Sequence, residues 1–208
     1  MQLYKNNGKV LVYQNKFCAA VKESKHTFYN SSTALKGTTS TAWRTLSYDK
    51  PLSTMPYLTF KITANMDVGG AFDASDFFIN NDSDTIIRCR DHYMFSSNNV
   101  GFIGITGGVT GFTAQSGVSS KTIDGILYYM TGPNFAEAYK VYKYVFDCAN
   151  KKVYCYADGT YKGVGTLNVN PNTITKIGAL KEVATIGNIT ISNIEVVGFT
   201  SLTDARAY

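Results

Sequence analysis

Short runs of alternating apolar and polar residues recur along the whole chain, broken by clusters of Asn, Asp, Gly and Ser. Strand side chains point alternately to opposite faces, so such runs predict strands half buried in a sheet. LYKNNGKVLVY (3–13) predicts a hairpin turning at Asn7-Gly8, a favoured two-residue pair. Further strands are predicted at 57–68, 76–81, 84–91, 92–97, 100–108 and 125–132, and later at 173–180 and 188–202. The stretch 31–56 reads as loop, and GGAFDAS (69–75) as a turn. TGGVTGFTAQSG (106–117) is Gly-rich and lacks the Lys-Ser/Thr of a phosphate cradle, so it also reads as a connection. PNFAEA (133–138) is the one helical expectation, since no long segment keeps a 3.6-residue period. Regular short strands with polar turns predict a sandwich or a barrel.

The densest stretch is YKVYKYVFDCANKKVYCYADGTYKGVG, Tyr139 to Gly165. It reads as three strands joined by two tight turns, with Asp158-Gly159 as the second. In its middle strand Val153, Cys155 and Ala157 alternate with Lys152, Tyr154 and Tyr156. The small apolar set is expected to face the core, which sends the tyrosines and the lysine the other way. On the strand before it, Tyr142, Tyr144 and Phe146 share one face, and Lys143 lies on the other with Val141 and Val145.

Composition narrows the class. The chain has 208 residues, 44% of them hydrophobic and only 17% charged. One domain accommodates that length, and the core can be sizeable. Tyr (15) and Phe (12) are abundant and favour strands. The net charge of +5 is spread over mostly single lysines, so nucleic acid is not an expected partner. The N-terminus shows no secretory pattern, and no apolar run is long enough to span a membrane. Cys18, Cys89, Cys148 and Cys155 show no CxxC spacing. Reduced thiols are the default, although Cys148 and Cys155 flank one hairpin and could approach each other.

The segment YKYVFDCANKKVYCYADGTYKGVG resembles the concanavalin A-like, laminin G-like sandwich superfamily. There, a strand ending in an aromatic and Asp leads through a polar turn to a strand ending in Asn-Gly or Asp-Gly. TKIGAL and the closing GNITISNIEVVGFTSL, with its small polar pair Ser192-Asn193, are similar to later strands of that family. The resemblance is best over 139–202. It implies an all-β, antiparallel jelly-roll sandwich over 43–208, with 1–42 as an N-terminal hairpin and arm for attachment or oligomerisation. It also implies carbohydrate on the concave sheet or its rim, with calcium near the rim in some members.

Chemistry is harder to find. Glycoside cleavage needs two carboxylates about 5 to 9.5 Å apart. The family's catalytic Glu-x-Asp-x-x-Glu run is missing, and Glu23, Glu137, Glu182 and Glu195 stand alone. No GxSxG elbow accompanies His26 or His92. The run DASDFFINNDSDTIIRCRD offers calcium its best acids, but these fall mostly at turns. The expectation is a non-enzymatic protein without a cofactor. Aromatic stacking is the usual physics of sugar binding, so Trp43, Tyr128, Tyr129, Tyr154 and Tyr156, with Lys152, are the candidate carbohydrate- or partner-binding residues. The opening MQLYKNNGKV resembles those of bacteriophage tail, baseplate and head-fibre proteins. That resemblance implies a virion protein assembled in the host cytoplasm, contacting other virion proteins and copies of itself, and reaching host surface polysaccharide. The alternatives are an adhesion module of a secreted bacterial protein and a purely structural decoration protein.

Overall fold

The computed structural model describes residues 2–6, 9–13, 23–67, 74–92, 94–95, 100–131, 140–181 and 188–208. β1 (Gln2–Asn6) and β2 (Lys9–Tyr13) form a two-stranded antiparallel sheet with Asn6 opposite Lys9. That register is the expected hairpin; its turn, Asn7-Gly8, lies outside the described residues. The first half of the sandwich follows as β3 (Lys25–Ser31), β4 (Leu35–Lys36), β5 (Ala42–Thr45), β6 (Tyr57–Asp67), β7 (Ala74–Asn80), β8 (Thr85–His92) and β9 (Val100–Gly104). The second half is β10 (Val109–Ala114), β11 (Ser119–Ile123), β12 (Ile126–Thr131), β13 (Lys140–Asp147), β14 (Lys152–Ala157), β15 (Thr160–Leu167), β16 (Lys176–Lys181) and β17 (Asn188–Phe199). One helix, α1 (Leu202–Ala207), ends the chain.

The strands from β3 onward form two antiparallel sheets. One has eight strands in the order β10-β15-β14-β13-β6-β17-β3, with β4 also on β17. The other has seven, in the order β11-β12-β9-β8-β7-β16-β5. The chain changes sheet again and again, as from β6 to β7, β10 to β11, β12 to β13 and β15 to β16. That is a jelly-roll sandwich, as expected. Its core lies between the inner faces. Phe60, Ile62, Tyr144, Phe146, Val153, Cys155 and Val196 from the larger sheet meet Phe77, Ile79, Ile87 and Phe102 from the smaller. The buried Tyr144 hydroxyl donates to the Phe102 carbonyl at 2.6 Å, a polar stitch across the layers.

Two local devices explain how the sequence holds this register. Asp158 and Gly159 sit at φ +48° and +76°, the positive values a two-residue primed turn requires between β14 and β15. In β17 a bulge falls between Ile191 and Asn193, and the Ser192 hydroxyl bonds the Thr63 carbonyl at 3.3 Å. The extra residue resets the alternation, so Ile189 and Ile191 before it and Ile194 and Val196 after it all reach the core.

Several expectations need correction. The sandwich does not begin at 43. β3 pairs with β17, β4 also joins it, and β5 starts at Ala42, so chain expected in the arm or a loop is sheet. The Gly-rich 106–117 is not wholly a connection: Val109–Ala114 is a strand paired to β15 through a bulge. Glycine weakens strand propensity but fits a bulged ladder. β11 was not predicted either, because SSKTI carries little apolar pattern and only Ile123 is buried. Of the strand expected at 92–97 only His92, Met94 and Phe95 are described: His92 ends β8, and Phe95 N–H turns back to the His92 carbonyl. The helical turn expected at 133–138 lies outside the described residues. The helix that is described, α1, was missed. Its signal is a Ser201 cap whose hydroxyl accepts from the Asp204 N–H at 3.4 Å.

Candidate functional site

The expected outward set on β14 does point away from the core, yet it is only partly open to solvent: Lys152 and Tyr154 are half-buried and Tyr156 is buried. Val145, Tyr156, Val197 and Phe199 form a second apolar cluster on the outer face of the larger sheet. Helix α1 of the same chain closes it with the fully buried Ala205. The Arg206 Nε donates to the Tyr156 hydroxyl at 2.7 Å, and its guanidinium lies over Tyr154 (4.8 Å) and Tyr161 (4.9 Å). Lys143 reaches the Arg206 carbonyl at 2.6 Å, and burial pulls its pKa below the ordinary value. Tyr156 is only 6% exposed and Tyr154 is half-buried. Lys152 is occupied at 2.8 Å by the Thr166 hydroxyl. As open stacking rings, Tyr154 and Tyr156 are therefore corrected: their partner is the chain's own C-terminus.

Tyr128 is corrected more sharply. It is fully buried against Phe95, Ile123 and Met130, and burial pushes its hydroxyl up to about 12. A ring with no exposed face cannot stack on a sugar. Tyr129 is half-buried against the core, with its ring 4.6 Å from that of Phe112.

Trp43 is different. Its indole is 44% exposed on β5, an edge strand of the smaller sheet. Trp43 pairs with Gly178 on β16, Gly178 with Phe78 on β7, and Phe78 with Arg88 on β8. These four form one cross-strand row about 14 Å long at ordinary strand spacing. The indole lies down on Gly178, where a Cβ would come within 2.6 Å of it. The Phe78 ring is 6.1 Å away at a tilt of 39°. Lys176 Nζ stands 5.0 Å from the indole centroid, and the Arg88 guanidinium 5.4 Å from the Phe78 ring. Arg88 is in turn fixed by Asp76, through Nε and Nη2 at 3.0 Å each. Asp76 also pairs with the buried Arg90 at 3.1 Å, and Arg90 with Asp124 at 2.9 Å. Sequence reasoning found Trp43 but not Gly178, Phe78, Arg88 or Lys176. They lie on three other strands, and only the sheet register aligns them.

Among the described residues the acidic run contributes no cluster of converging carboxylates. Asp76 is tied to two arginines, Asp82 accepts from the Thr175 hydroxyl at 3.1 Å, and Asp73 lies outside the described residues. Among the described residues no three His, Cys, Asp or Glu side chains stand together as a metal site. Cys89, Cys148 and Cys155 are unpaired. Burial, then the neighbouring Asp147, pushes the Cys148 thiol up to about 12, so its thiolate is disfavoured.

No family model matches the chain, and no curated protein matches it in sequence. Solved structures resemble it in fold. Galectin LEC-6 of Caenorhabditis elegans is 8% identical with a TM-score of 0.38, covering 83% of this chain and 95% of that one. The CBM2 module of the evolved Dit of Lactobacillus casei BL23 phage J-1 is 7% identical with a TM-score of 0.43, covering 77% and 70%. The family 7 alginate lyase AlgAT5 is 14% identical with a TM-score of 0.39, covering 67% and 58%. Lectin, binding module and lyase stand side by side in that set.

Proposed function

We propose that the outer face of the seven-stranded sheet binds glycan, and that the chain is a non-enzymatic surface protein of a bacteriophage virion. The observation that carries the binding half is the exposed Trp43 indole at the head of a fixed row. A flat aromatic surface gives a sugar ring its apolar contact, and rigid polar groups beside it set orientation. Gly178 holds the indole down, and the Asp76 pair holds Arg88 still, so little ordering is left for the moment of binding. Asp76 is buried in ion pairs and badly placed to act as an acid or nucleophile, which favours binding over cleavage.

The virion setting is supported by the β1–β2 hairpin, a small sheet separate from both sandwich layers. In this reading the chain before Lys25 holds other virion proteins or further copies of itself. The sandwich then faces host polysaccharide, and assembly takes place in the host cytoplasm. The binding half is tested by retention of the folded chain on host surface polysaccharides, beside Trp43→Ala. Retention that falls about tenfold or more in the variant is expected. No retention of the parent chain, or equal retention of the variant, sinks the glycan reading. Mass spectrometry of purified particles tests the setting separately.

A further inference from the structure

Charge is spread unevenly over the face that carries Trp43. On one side of the Trp43–Gly178–Phe78–Arg88 row, Lys176 stands between Thr45 on β5 and Asn80 on β7, both uncharged. On the other side Leu180 pairs with Asp76, and Asp76 with Arg90. Asp76 is fully buried and taken up by cations: Arg88 through Nε and Nη2 at 3.0 Å each, and Arg90 at 3.1 Å. Asp124 meets Arg90 at 2.9 Å. Two carboxylates thus match two guanidinium groups, and Lys176 is left over. Asp82 accepts from the hydroxyl of its neighbour Thr175 at 3.1 Å. Among the described residues Lys176 forms no ion pair, and its ammonium stands 5.0 Å from the indole centroid.

A surplus ammonium beside an open ring recognises two things at once. The ring offers apolar contact to a sugar whatever its charge, and the ammonium attracts an anionic group whatever carries it. Both are within reach of a ligand. Trp43 is 44% exposed, and Lys176 is partly open. A cation–π contact at an exposed ring is weak, whereas a charge-assisted hydrogen bond is short and strong. The flexible lysine stem lets the ammonium turn from the indole to an anionic group while the sheet stays still.

We propose that the polysaccharide taken by this face is acidic, carrying carboxylate or sulfate groups along its chain. The inference rests on the glycan reading given above and adds the charge of the ligand to it. One sugar ring lies on Trp43, and an anionic group on that ring or the next is held by Lys176. Lys176 is thereby a specificity-determining residue: it selects among glycans that the indole alone would accept equally.

The test measures binding of the full chain to two matched pairs of immobilised polymers, polygalacturonate with its methyl ester and dextran sulfate with dextran. The expected result is binding to at least one acidic member about tenfold tighter than to its neutral counterpart, weakening as salt is raised. Lys176→Gln should remove that preference without lowering the thermal midpoint, and Lys176→Arg should restore it. Trp43→Ala should weaken binding to the acidic polymer as well. Poly-L-glutamate, an anion without sugar rings, should compete poorly, which separates this site from the general attraction of a chain with net charge +5. Equal binding within both pairs, or a preference that Lys176→Gln leaves intact, overturns the proposal. So does competition by poly-L-glutamate as effective as that of the acidic polymer. Trp43-dependent binding to neutral polymers alone overturns the acidic ligand and keeps the glycan reading. No binding to any of the four overturns the proposal too, and host polysaccharides then decide the glycan reading by themselves.

Discussion

The two outer faces of the sandwich carry the same kinds of side chain and have opposite fates. On the larger sheet, Tyr154, Tyr156 and Tyr161 gather with Arg206 and Lys143, and α1 lies over the apolar cluster beneath. On the smaller sheet, Trp43 and Phe78 gather with Lys176 and Arg88, and Trp43 stays open. Aromatic rings with cations above them are therefore no sign of a binding face in themselves. The difference is whether the chain supplies its own cover. Arg206 and Ala205 cover the first face from the C-terminus. The indole of the second has Gly178 below it, Phe78 beside it and the Lys176 ammonium nearby, and is still 44% exposed.

The sharpest way to break the comparison is to remove the rings under α1. Replacing Tyr154 and Tyr156 together by Ala should cost about 3 kcal/mol or more, because Tyr156 is buried and its hydroxyl anchors Arg206. Chemical denaturation measures the loss, and glycan retention per folded molecule should not change. A double variant that keeps its stability and loses retention would reverse the assignment of the two faces.

A smaller effect is expected from Gly178→Ala. The new methyl would press on the indole at 2.6 Å and on the Thr41 side chain at 2.9 Å. Overpacking of this kind costs about 1–3 kcal/mol, less here because Trp43 can lift into solvent. Lifting the ring off its floor should weaken glycan retention while Trp43 itself remains. Tryptophan fluorescence reports the move directly, since the chain has a single Trp. Full retention with a shifted emission maximum would show that the indole's position on Gly178 is irrelevant to binding.

These faces also mark how far the sequence could be read. Alternation in 139–165 correctly assigned Val153, Cys155 and Ala157 to the core, because that signal is local. The strands expected at 57–68 and 188–202 were legible for the same reason, and the one expected at 76–81 from its turn-forming neighbours, although it starts at Ala74, inside the stretch read as a turn. Alternation could say that Tyr154 and Tyr156 leave the core, but not what lies above them. Their cover is a six-residue helix far along the chain, too short to show a period. The Trp43 row was illegible for a related reason. Its members meet by register across β5, β16, β7 and β8, and register between distant strands leaves no mark on spacing.

The smallest expected effect concerns the ionic cluster around His26. His26 lies between Asp49 at 3.0 Å and Glu23 at 3.2 Å. The Asp49 hydrogen bond, against some burial and helped by Glu23, raises its pKa above the ordinary 6.5. Its contribution to stability is thus complete below about 6.5 and lost as pH rises through the raised value. Glu23 is lowered from 4.5, first by Lys50 and then by His26, and Asp49 is lowered from 3.8, first by His26. Their contributions are present above those ordinary values and fade as pH falls through the lowered ones. The cluster should therefore hold best in mildly acidic solution, between the carboxylate and imidazole ranges. These groups are largely solvated, so the effect on the thermal midpoint should be modest and shrink with salt. His26→Gln should flatten the alkaline side of the profile and leave both outer faces unaltered. A midpoint profile that His26→Gln does not change above pH 6.5 would show that the cluster contributes nothing to stability.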